Sequence, residues 1–112
     1  MAAMEYPNIL QSSASITAAA SPTLTFNGAS PGFNQALSVH STTGVYDLCL
    51  DTPLVSSNVA FAVTPRSQNA GDNVQADLVT SGGNTFCRVT ADRSGSASDS
   101  VSFDVLVFQR PG

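Results

Sequence analysis

The sequence is short of charge. Only 11% of its 112 residues are Asp, Glu, Lys or Arg, less than half the fraction of roughly 25% usual in soluble proteins. There is no lysine and no tryptophan, one histidine, and two cysteines. Each scarcity excludes something. Nucleic-acid binding needs clustered cations to displace counterions. Four arginines scattered at 66, 88, 93 and 110 against eight acids give a net charge of −4 and no basic patch. One His and two distant Cys do not make a tetrahedral zinc site without carboxylates. No run approaches the roughly 20 apolar residues of a membrane span. The start, "MAAMEYPNIL", lacks the positive n-region and apolar run of a signal peptide. A cytosolic origin is therefore expected, with Cys49 and Cys87 as thiols in preference to a disulfide.

In place of charge the chain carries Ser, Thr, Ala, Asn and Gly, with 42% hydrophobic residues overall. A small protein ordinarily keeps itself soluble with a dense charged surface. A neutral surface of hydroxyls and amides suits contact with other protein, as in an assembly, or a secreted surface. The length allows one domain with a core of its own.

Residues 1–22, "MAAMEYPNILQSSASITAAASP", read differently from the rest. Pro7 and Pro22 interrupt any helix, and "SASITAAAS" shows no apolar stripe. They are expected to be an extended N-terminal arm whose apolar cluster, Tyr6, Ile9 and Leu10, docks on a neighbour. Residues 23–112 are expected to be one β-domain. Deleting residues 1–20 should then leave a folded domain that no longer binds its partner.

From Thr23 onward turn chemistry alternates with short apolar-alternating runs. Asn27-Gly28 is a turn signal. "NQALSVH", "VYDLCLD", "NVAFAVTP", "VQADLVT", "TFCRVTAD" and "VSFDVLVFQ" follow "TLTF" as strands. "RSQNAGDN" and "RSGSASDS" read as loops, the second as a flexible one. Alternation puts Tyr46, Leu48 and Leu50 on one core-facing side and Val101, Phe103, Val105 and Val107 on another. The last strand also carries Leu106 and Phe108 on its other face, so it is either central between layers or covered by a partner. About seven short strands without helical periodicity predict an all-β fold, an antiparallel β-sandwich that is jelly-roll-like or barrel-like.

The stretch "SVHSTTGVYDLCLDTPL" (38–54) gathers His40, Cys49, Asp47, Asp51 and several hydroxyls. A Ser–His–Asp set needs a base touching a nucleophile and oriented by a carboxylate. Hydroxyls are so frequent here that such proximity arises by chance, and no Gly-x-Ser-x-Gly elbow is present. A Cys49–His40 pair meets the objection that Cys49 sits mid-strand, where packing explains it. The stretch reads as a turn and a strand, and the protein as no enzyme. A calcium site from Asn69, Asp72, Asn73 and Asp77 lacks EF-hand spacing and reads as a polar loop. No catalytic, metal or cofactor-binding residues are assigned, and no cofactor is expected.

"GVYDLCLDTPLVSSNVAFAVTPRS" and "TFCRVTADRSGSASDSVSFDVLVF" together resemble small β-modules of bacteriophage virion proteins: capsid decoration (cement) proteins, head fibres and the tips of tail fibres. The resemblance rests on Gly44-Val45-Tyr46, on Asp51, Pro53 and Leu54, and on Val63-Thr64-Pro65. It continues through the hairpin of Phe86, Arg88, Thr90, Asp92 and Gly95, with Arg88 where an apolar residue is commoner. It ends in Phe103, Val105, Val107 and Phe108. It spans residues 33 to 109, about two-thirds of the chain. It implies a homotrimer with no catalytic residues, bound to the major capsid protein or another virion protein, in a virion assembled in the host bacterial cytoplasm. Fibre tips end long shafts, and a module almost alone favours a stand-alone capsid decoration protein. The alternative is a receptor- or glycan-binding fibre tip. Its loops would offer Arg66, Asn69, Asp72, Asp92 and Arg93, though Tyr6 and Tyr46 are a thin aromatic supply for a sugar.

Overall fold

A computed structural model describes residues 9–52, 54, 58–66 and 69–109. Among these the chain forms nine strands: β1 (Ile9–Thr17), β2 (Thr25–Phe26), β3 (Phe33–Thr42), β4 (Val45–Leu50), β5 (Val59–Pro65), β6 (Asp72–Ser81), β7 (Asn84–Arg93), β8 (Ser96–Ala97) and β9 (Phe103–Gln109). One antiparallel sheet has the order β2-β1-β9-β5; the other has the order β3-β4-β7-β6, with β8 added to β7. The two sheets pack face to face as an all-β sandwich.

The core follows period-two alternation. Tyr46, Leu48 and Leu50 on β4, Cys87, Val89 and Ala91 on β7, and Phe103, Val105 and Val107 on β9 are all buried between the sheets. Val101 joins them just before β9. Each of the Leu, Val and Phe side chains among them contributes about 1.5–3 kcal/mol through burial. β9 lies between β1 and β5 within its sheet, so the central position is the one its two-faced apolar sequence takes. Its outer face, with Leu106 and Phe108, is only half covered.

The predicted boundary after residue 22 is corrected. Ile9–Thr17 is no arm on this domain but an inner strand of it, paired with β9 along its length and with β2 at Ile16 and Thr17. Ser12, Ala14 and Ile16 point into the core at 4%, 7% and 0% exposure. The stripe is faint in the sequence because two of its three members are small. Ser12 is accommodated there by donating its hydroxyl to the Gly32 carbonyl at 3.2 Å. Deleting residues 1–20 therefore removes a core strand and cannot leave this fold intact. Residues 1–8, with Tyr6, lie outside the described residues.

The reading of "RSGSASDS" as a flexible loop is also corrected. Ser96 and Ala97 extend the β7 hairpin, and Asp99 is fixed inside a hydrogen-bonded junction. The edge strand β3 carries register shifts between Asn34 and Val39. There the Ser38 hydroxyl accepts from the Cys49 amide at 2.9 Å and donates to the Asn34 carbonyl at 2.7 Å. Such bulges blunt an edge against unwanted pairing.

Candidate functional site

His40 ends up inside the protein, 1% exposed. It sits near the end of β3, on the inward face, next to the turn into β4. Its Nδ1 lies 2.7 Å from the Thr23 carbonyl oxygen and its Nε2 lies 2.8 Å from Asp99 Oδ1. The ring stacks on Tyr46 with centroids 3.9 Å apart and planes 19° from parallel, and Tyr46 meets Phe103 edge-on at 5.1 Å.

Asp99 is the hub of this junction. Its Oδ1 accepts from the Gly44 amide at 2.7 Å and its Oδ2 from the Ser21 amide at 2.9 Å, beside the contact from His40. Burial alone would raise its carboxyl, but the amides of Gly44 and Ser21, followed by His40, outweigh that and hold it below the usual carboxylate range. Ser21 completes the tie by donating its hydroxyl to the His40 carbonyl at 3.0 Å. Gly44 is required as glycine: its φ is +74°, and a Cβ there would stand 2.5 Å from the Ala91 carbonyl oxygen.

These contacts decide what His40 can do chemically. A Ser–His pair for nucleophile activation needs a hydroxyl at the nitrogen opposite the carboxylate. Here that nitrogen faces a peptide carbonyl, and the nearby Ser21 hydroxyl is turned to a backbone oxygen. The carboxylate that meets His40 is Asp99, 59 positions away. Neither Asp47 nor Asp51, beside it in sequence, takes that place. Nothing local in the sequence announces Asp99 or Ser21. Tyr46 carries the one buried side-chain polar atom without a hydrogen-bond partner among the described residues, its hydroxyl. Burial, then the charge of Asp99, pushes this phenol up to about 12.

The two cysteines are free thiols. Register explains why: Cys87 pairs with Leu48 and Cys49 with Phe86, so the thiols project to opposite faces of one sheet. Burial, then the charges of Asp47 and Asp77, pushes the Cys87 thiol up to about 12. Cys49 is also raised, by burial and then by Asp51. Both are chemically quiet, since the reactive form is the thiolate.

The loop charges are spent on one another. Arg93 grips Asp72 with two hydrogen bonds, at 2.7 and 3.1 Å. These bonds, against a smaller effect of burial, hold the Asp72 carboxyl below the usual range. Asn69 accepts from the Gly71 amide at 2.9 Å. Among the described residues no three His, Cys, Asp or Glu side chains cluster to hold a metal ion. Arg88, the departure from the apolar pattern, lies on the outer sheet face and grips Asp47 at 2.7 and 3.0 Å.

Two surface features remain. Ile9, Leu10, Leu37 and Val39 are the exposed large hydrophobics among the described residues, at 56%, 51%, 47% and 48%. Leu10 stands opposite Phe108 across the β1–β9 ladder. The outer face of β1, β9 and β5 also forms an open groove of about 470 Å³, lined by Ser13, Ser15, Ala62 and Leu106 among others. Asp104 also lines it and pairs with Arg66 at 3.1 Å. Among the described residues no helix is long and apolar enough to cross a membrane.

The fold and junction define an all-β sandwich with a buried polar tie. Comparison with known proteins adds no relative: no family model, no curated protein and no solved structure matches the chain.

Proposed function

We propose that the protein is a non-enzymatic structural protein of a phage virion, a capsid decoration (cement) protein that binds the capsid lattice as a homotrimer. The motif resemblance over residues 33–109 supports this reading, as does the pairing of the arginines among the described residues. Three arginines, Arg66, Arg88 and Arg93, are each engaged by an aspartate. The observation that carries it most directly is the pair Ile9 and Leu10. They stand half exposed at the start of an otherwise well-buried strand, beside Phe108. Exposed apolar groups gathered at one place mark contact surfaces more often than scattered ones do. Tyr6, the third member of the expected cluster, lies outside the described residues.

The test is a pair of substitutions, Ile9→Ser and Leu10→Asp, which leave the inward stripe untouched. Native mass spectrometry should show a trimer for the parent chain and its loss in the double variant. Co-sedimentation with empty capsids should fall at least tenfold. A monomeric parent that also fails to sediment with capsids would overturn the reading.

For the alternative, a receptor- or glycan-binding fibre tip, the groove on the β1–β9–β5 face would be the candidate site. Asp104 on its lining, with the Arg66 that pairs with it, would offer hydrogen bonds to a sugar. The ion pair of Asp72 with Arg93 weakens the loop site expected for that alternative. Specific glycan-array binding that Asp104→Ala abolishes would favour the fibre tip.

A further inference from the structure

His40 is the only histidine of the chain, and its side chain is fully enclosed. Both of its ring nitrogens face groups that accept protons and have none to give: the Thr23 carbonyl at 2.7 Å and the Asp99 carboxylate at 2.8 Å. A neutral imidazole carries one N–H. It satisfies one of these oxygens and turns a lone pair toward the other. Only the doubly protonated ring donates to both.

The surrounding groups favour the same state. From the segment before β9, Asp99 supplies the carboxylate, kept ionised by the Ser21 and Gly44 amides that converge on it. From β4, Tyr46 presents its ring face at 3.9 Å, within the range over which an aromatic face attracts a cation. From the β1–β2 connection come the Thr23 carbonyl and the Ser21 hydroxyl, both neutral. Asp99 is the one charged side chain that makes an ion pair with His40 among the described residues.

We propose that this junction is a pH-dependent clasp, in which a doubly protonated His40 bridges Asp99 and Thr23 and the loss of one ring proton to solvent releases the segments it holds. Those segments are residues 18–24, between β1 and β2, and residues 98–102, which lead into β9. Side chains join the two segments here: Ser21 to Asp99, Ser21 to the His40 carbonyl, and the Ala18 amide to the Ser102 hydroxyl at 2.8 Å. Backbone bonds from Ser98 to Ala91 at 3.0 Å and from Arg66 to Ser102 at 2.7 Å flank the second segment. The loss of one charge-assisted bond therefore acts on both segments together. The direction is fixed by the chemistry: the clasp is closed at lower pH, where the ring is charged, and opens as pH rises.

The test uses the intact protein, in which a single histidine makes the ring signals unambiguous. Long-range proton–nitrogen NMR between about pH 5 and 8, the range in which histidine titrates, reports how many ring nitrogens carry protons. Amide exchange at Ser21 and Gly44, corrected for intrinsic base catalysis, reports the clasp. The expected result is two protonated nitrogens at the acid end. Loss of one proton should coincide with a fall of about tenfold or more in protection at Ser21, the effect of losing one hydrogen bond to a charged group. In Asp99→Asn the coincidence should vanish. A ring with one protonated nitrogen throughout the range overturns the proposal. So does a ring that titrates while Ser21 and Gly44 keep their protection. The wild-type spectra decide this even if the variant fails to fold.

Discussion

On the side where β1 meets β3, the two sheets are tied by hydrogen bonds. Ser13 donates its amide to the Pro31 carbonyl at 3.0 Å, Ser12 its hydroxyl to Gly32, and the Asp99 junction joins three separate segments at one end. On the side where β5 meets β6, the closure is apolar. Phe61 and Val63 from one strand and Val74, Ala76 and Leu78 from the other pack against the core while staying partly exposed. Polar ties are directional and leave costly orphans when one member is removed. Apolar contacts are graded and lose only the area removed. The first side therefore fixes geometry, and the second supplies burial that tolerates adjustment.

The widest separation between the two sides is expected at Asp99. Asp99→Ala strands the Ser21 and Gly44 amides and leaves His40 without its carboxylate. It should cost about 3 kcal/mol or more, read as a lower urea midpoint with an unchanged slope. The same carboxyl sets a pH signature. Its folded-state value lies below that of the unfolded chain, so its stabilisation is present above the ordinary carboxylate range and is lost as pH falls through the folded value. Wild type should therefore lose stability on acidification more steeply than Asp99→Asn. Parallel acid limbs would place Asp99 outside the energetics of the fold. At the other extreme, burial holds the Cys87 thiol and the Tyr46 phenol neutral up to about 12. The stability they add is present below their unfolded values and disappears as pH rises toward 12.

The apolar side should respond less. Leu78→Ala, at a partly exposed position facing Cys87 on the neighbouring strand, should cost about 1–2 kcal/mol. That is the low end of the 2–5 kcal/mol seen for fully buried sites. Val89→Ala, on β7 with no exposure, provides the fully buried reference for a smaller side chain. A loss at Leu78 as large as that at Asp99 would erase the contrast between the two sides.

Much of this fold was legible in the sequence because alternation is a strong signal where the inward residues are large. β4 and β9 carry Tyr, Leu, Phe and Val at every second place, and their inward faces follow the expectation. β1 was hidden because Ser12 and Ala14 bury as little area as loop residues do, leaving Ile16 to mark a face alone. Asp99 was hidden for a different reason. Its place depends on three partners at positions 21, 40 and 44, which only the folded chain brings together. In the sequence it is one acid in a run of Ser, Gly and Ala, the composition of a flexible loop. His40 was legible as a residue of interest, but its meaning turned on which atoms met its two nitrogens. Alternation reports which way a side chain faces and says nothing about its hydrogen-bond partners.

The smallest effect is expected within the tied side itself, at the one group there that is not tied. The Tyr46 hydroxyl is buried without a hydrogen-bond partner, although the ring that carries it is held on both sides by His40 and Phe103. Tyr46→Phe keeps the stack and the edge contact and removes only the orphaned oxygen. An unsatisfied buried hydroxyl is a cost, so the substitution should raise stability by up to about 1 kcal/mol. The readout is a higher urea midpoint with an unchanged slope. It should also remove the part of the alkaline limb that comes from phenol ionisation in the unfolded chain. A loss above about 1 kcal/mol would mean that the hydroxyl has a partner, a buried water being the simplest, since ordered water satisfies such groups. The polar side would then be complete, with every buried side-chain group in it paired.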